Sequence, residues 1–115
     1  MIRQYFLYNS TVLYDVEKGY KLARNMEYTP VFVSHQNVLN MYRQQLKRKR
    51  MYRYNPLNAK LDVPVLFGLS TRSKTPILID GWHRLSKCVI LGIPCKAILL
   101  TYEDSERVKI MTNRQ

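Results

Sequence analysis

The chain predicts a mixed α/β fold in a single domain, on three observations. Two apolar runs rich in branched residues, 65–69 and 76–79, flank a polar connection and read as a β-hairpin. Directly after them Leu85, Cys88, Val89 and Leu91 take helical spacing, which Gly92 ends. A third apolar run, 95–101, follows that helix. Hairpin, helix, strand is the grammar of a mixed sheet with helices packed on it. The chain has 115 residues, 46% of them hydrophobic, which suits one domain (1–115) with a real core.

The remaining elements follow in chain order. Residues 2–8 are aromatic and branched, as strands are. Residues 11–26 stay ambiguous: Leu13, Val16 and Tyr20 have helical spacing, but Gly19 interrupts them. After Pro30, Val31-Phe32-Val33 is a short apolar run, and Ser34 is placed to cap a helix over 35–50. Val38, Leu39, Tyr42 and Leu46 fall on one face of that helix. Asn55-Pro56 and Pro64 mark residues 51–64 as a loop. Glu103 and Asp104 suit the N-terminus of a final short helix, where the macrodipole favours negative charge.

Charge narrows the partners. Nineteen Lys and Arg against eight Asp and Glu give a formal net charge of +11, and such a field attracts polyanions, nucleic acid first. The cations concentrate: Arg43, Lys47, Arg48, Lys49, Arg50 and Arg53 form a segment free of acids and interleaved with Tyr42, Tyr52 and Tyr54. Cations can track a phosphate backbone while tyrosines stack on bases. The plainer reading of the cluster is complementation of a helix C-terminus. No apolar run approaches the roughly 20 residues that span a bilayer, and the first residues lack a signal-peptide pattern. A cytoplasmic protein without a membrane partner is expected. Cys88 and Cys95 sit in apolar surroundings and read as buried thiols rather than a disulfide framework or metal site.

The chemistry concentrates in residues 79–84, Ile-Asp-Gly-Trp-His-Arg. A strand ends, Asp80 and Gly81 turn the chain, and a helix begins at Trp82 or His83. Free N–H groups at a helix start bind anions, and a glycine there lets a phosphate approach closely. His83 and Arg84 add donors where the dipole disfavours cations, a cost that an anionic ligand offsets. The alternative is a plain strand–helix turn capped by Asp80, with His83 and Arg84 solvated.

The hairpin, the Asp80-Gly81-x-His83-Arg84 motif, the helix and the Gly92-Ile93-Pro94 strand entry together resemble the ParB/sulfiredoxin superfamily. The resemblance covers about residues 30–110 and leaves 1–29 as an extension without an assigned role. It implies a ParB/sulfiredoxin-like domain whose strand–Gly–helix loop binds nucleotide. Gly81, Trp82, His83 and Arg84 would contact phosphate or nucleotide, and Asp80, His83 and Arg84 are the candidate catalytic residues. It also implies ATP or CTP as ligand, with Mg2+, and DNA as the nucleic-acid partner, for which the charge cluster offers Arg43, Lys47, Arg48, Lys49, Arg50 and Arg53 as contacts. ATPase or nuclease activity, of plasmid or phage type, is the enzymatic form of this expectation. No residue is assigned as a metal ligand, because Asp80, with Asp62 or Glu103, makes a thin carboxylate set. Sulfiredoxins carry a catalytic cysteine where this chain has Trp82, so sulfur chemistry is not expected. Partition proteins usually carry a Gly-Glu-Arg-Arg box and a helix-turn-helix domain, for which this chain lacks room. The alternative function is a non-catalytic inhibitor or adaptor of a mobile element that binds a protein partner.

Overall fold

The computed structural model describes residues 4–9, 12–46, 56–71 and 75–111. The elements run β1 (Tyr5–Asn9), β2 (Val12–Asp15), α1 (Val16–Asn25), β3 (Val31–Val33) and α2 (His35–Leu46). A 3-10 turn (Pro56–Asn58) then leads to β4 (Val65–Gly68), β5 (Ile77–Asp80), α3 (Trp82–Leu91), β6 (Cys95–Leu99), α4 (Tyr102–Val108) and β7 (Lys109–Met111).

The central sheet has the order β3-β6-β4-β5. β4 and β5 pair antiparallel, as the hairpin reading requires, while β4 and β6 run parallel with α3 as their crossover. Every residue of β4 is buried, because this sheet is covered on both faces. Alternation divides its side chains between two clusters. Val65, Phe67 and Leu78 pack with Val38, Leu85, Cys88 and Cys95 beneath α2 and α3. Leu66, Ile77 and Ile79 pack with Tyr14, Val16, Ala23, Leu100 and Val108, beneath α1 and α4. The smaller antiparallel sheet, β1-β2-β7, adds Val12 and Tyr14 to that second cluster. Emptying one fully buried site such as Leu85 to Ala costs about 2–5 kcal/mol.

The ambiguous stretch 11–26 resolves into a strand that runs straight into a helix. Asp15 ends β2 and also caps α1, its carboxylate accepting from the Lys18 N–H at 3.0 Å. Gly19 lies inside α1 for lack of room: a Cβ there would stand 2.6 Å from Leu66 Cδ2. α2 is described as far as Leu46, and residues 47–55, with the rest of the predicted 35–50 helix and most of the basic segment, lie outside the described residues. On α3, Leu85 and Cys88 are buried as expected, but Leu91 is half exposed. Gly92 ends α3 in the left-handed region at φ 65°, where L side chains are strained. Thr101, ahead of Glu103 and Asp104, caps α4 by accepting from the Asp104 N–H at 3.2 Å.

Candidate functional site

The turn from β5 into α3 is tight because Gly81 makes it so. Gly81 is the N-cap of α3 at φ 107°, and its Cβ, if present, would meet Val65 Cγ1 at 2.6 Å and Val65 Cβ at 2.8 Å. Glycine is therefore required twice, by its dihedral and by the approach of β4. The N-cap Gly81 supplies no side-chain cap to α3, and no acid occupies the first turn. This corrects the reading of Asp80 as N-cap: Asp80 is the last residue of β5 and turns toward other partners.

Those partners form a closed polar cluster. Arg84, one helical turn beyond Asp80, donates from Nη2 to Asp80 Oδ2 at 2.9 Å. Its Nη1 donates to the carbonyls of Val63 at 2.9 Å and Pro64 at 3.0 Å. Nη2 also reaches the Tyr20 hydroxyl oxygen at 3.2 Å. Tyr20 shares its single proton between the Pro64 carbonyl at 2.9 Å and Asp80 Oδ2 at 3.0 Å. Gln4 completes the carboxylate, donating to Oδ1 at 3.2 Å. Burial, and next the Asp80 charge, push the Tyr20 hydroxyl well above its ordinary pKa, so it stays a neutral donor. Arg84 is thus a brace that ties α3 to β5, α1 and the strand entry at Pro64, rather than the solvated cation of the plain-turn reading.

A cavity of about 160 Å³ opens along Asp80, Gly81 and Trp82, walled on its other side by Gln4, Phe6 and Val16. His83 and Arg84 do not line it; His83 is half-buried in the first turn of α3. Trp82 stacks on Tyr42 of α2 with ring centroids 4.7 Å apart and planes within 10°. Arg43, beside Tyr42, is exposed, which leaves one end of the basic segment near this stack. The other sequence-chosen cations, Lys47, Arg48, Lys49, Arg50 and Arg53, lie outside the described residues.

The carboxylates do not converge. Neither Asp62 nor Glu103 lines a cavity beside Asp80, and among the described residues no three His, Cys, Asp or Glu side chains gather as a metal cage would require. Cys88 and Cys95 lie in the core under α3. Burial raises both thiols, that of Cys95 to about 12, which suppresses the reactive thiolate.

Tyr20 and Gln4 are the site residues that sequence reasoning missed. They reach Asp80 across 60 and 76 positions, a proximity that only the tertiary fold creates. No protein-family model, curated protein or solved structure matches the chain.

Proposed function

We propose that this protein is a ParB-like binding domain for phosphate-bearing ligands, nucleotide at the start of α3 and nucleic acid along the basic segment. The observation that carries the reading is the glycine start of α3 beside a cavity. Gly81 stands in place of a capping side chain, the first turn holds no acid, and a cavity runs along its backbone. N–H groups there, with the dipole behind them, suit a phosphoryl oxygen, and His83, in the first turn though not on the cavity wall, is the proposed side-chain donor to the part of the ligand that extends beyond it. The net charge of +11 and the cations from Arg43 to Arg53 support a polyanionic partner, with DNA as the expected one.

Binding rather than turnover is the form this proposal takes. Asp80 and Arg84, the expected catalytic pair, are engaged with each other, and Tyr20 and Gln4 fill further positions on the carboxylate. Arg84 acts by fixing the Asp80-Gly81 turn. Calorimetric titration of ATP and CTP, with and without Mg2+, tests the reading on the wild type and on His83→Gln. Saturable binding by the wild type is expected, weakened about 3–10-fold in the variant, the net worth of one ordinary hydrogen bond. Equal affinities would remove His83 from the site, and no heat with any nucleotide would overturn the proposal.

A further inference from the structure

The segment before residue 30 lies outside the family resemblance, yet it builds most of the wall of a second, larger cavity. This cavity measures about 480 Å³ and is lined by Gln4, Glu17, Tyr20, Lys21 and Arg24 of that segment together with Asp80. Its volume falls within the roughly 300–1,000 Å³ of small-molecule sites, which the 160 Å³ cavity at Gly81 does not reach. Gln4, Val16 and Asp80 line both cavities, so the two adjoin.

The charges in the larger cavity have a definite balance. Lys21 and Arg24 stand three residues apart on α1, and i,i+3 side chains share a helix face. Both are exposed, and among the described residues neither is held in an ion pair. The Asp80 carboxylate is balanced by Arg84 at 2.9 Å. Among the charged side chains that line the cavity, Lys21 and Arg24 thus stand beside Glu17 and the Arg84-paired Asp80. A cation pair of this kind, beside the Tyr20 hydroxyl and the Gln4 amide, suits successive phosphoryl oxygens.

We propose that Lys21 and Arg24 bind the polyphosphate chain of a nucleoside triphosphate beyond the first phosphate held at Gly81, so that α1 reads the number of phosphates. This rests on the phosphate site proposed above. It gives residues 1–29 a role, since α1 carries the cations and Gln4 lines both cavities. Arg84 then positions the shared wall, and Lys21 and Arg24 are the ligand contacts.

The experiment compares AMP with ATP, and CMP with CTP, on the wild type and on Lys21→Gln/Arg24→Gln. Both substituted side chains are exposed, and thermal melts verify that the variant stays folded. The wild type is expected to bind triphosphate at least about tenfold more tightly than monophosphate. The double variant should keep its monophosphate affinity and lose that preference, its ratio falling to about 1–3. A double variant that keeps the wild-type ratio while monophosphate still binds overturns the α1 contacts and leaves the Gly81 site standing. A wild type that binds neither monophosphate nor triphosphate removes both proposals.

Discussion

Replacing Arg84 by Ala removes four hydrogen bonds, of 2.9 to 3.2 Å, and strands the Asp80 carboxylate beside Tyr20. Breaking one member of a buried ion pair costs about 3–5 kcal/mol. Here the two side chains keep 16% and 20% exposure, so water recovers part of the loss. The expected destabilisation is therefore about 2–4 kcal/mol, within the 5–15 kcal/mol typical of a whole domain. With a urea slope of about 2 kcal/mol per molar, the unfolding midpoint should fall by roughly 1–2 M. Arg84→Lys should recover at most half, because one ammonium cannot serve both the carboxylate and the two carbonyls as a guanidinium fork does. A double-mutant cycle with Asp80→Asn isolates the pair and should show coupling of about 1–2 kcal/mol. A loss below about 0.5 kcal/mol for Arg84→Ala, the surface ion-pair value, would refute the brace.

Three further outcomes follow from the same geometry. Gly81→Ala should destabilise by about 2–4 kcal/mol, combining left-handed strain with the contacts to Val65, and a thermal melt lowered by only a degree or two would contradict that. Tyr14 is buried and its hydroxyl is raised to about 12, first by burial and then by Glu106 and Tyr8. Because the native state keeps its proton while the unfolded chain loses it near pH 10, stability should fall as pH rises from about 10 to 12. Urea midpoints for Tyr14→Phe should decline less steeply over that window. For DNA, each neutralised phosphate adds about 0.9 to the slope of log affinity against log salt. Changing Lys47, Arg48, Lys49 and Arg50 to Gln should flatten that slope by up to roughly 3–4 for all sequences alike, and an unchanged slope would clear the segment of contact.

The part of the fold that could be read from sequence is the part whose signals are local. β4, β5 and β6 appear as apolar runs because both faces of their sheet are covered, and Gly92 marks the end of α3 because only its φ 65° turn stops there. β2 and α1 were illegible for an equally physical reason. No loop separates them, Asp15 serves both, and Gly19 reflects the proximity of Leu66 rather than a break. β7 carries little strand character of its own; it is a strand because Ile110 pairs with Leu13. At the site, Gly81 was legible and Asp80 and Arg84 were legible as neighbours one helical turn apart. Their engagement with each other was not, because it is set by Tyr20, Gln4 and the Pro64 carbonyl arriving from distant sequence.

The central claim is that phosphate binds at the start of α3, and backbone amide NMR of the 15N-labelled protein tests it residue by residue. Adding AMP, then ATP, should shift the amides of Gly81, Trp82 and His83 most, in a saturable way with one dissociation constant for all three. ATP should in addition move Lys21 and Arg24. Saturating nucleotide that leaves the Gly81–His83 amides in place, or moves only amides remote from α3, would contradict the account.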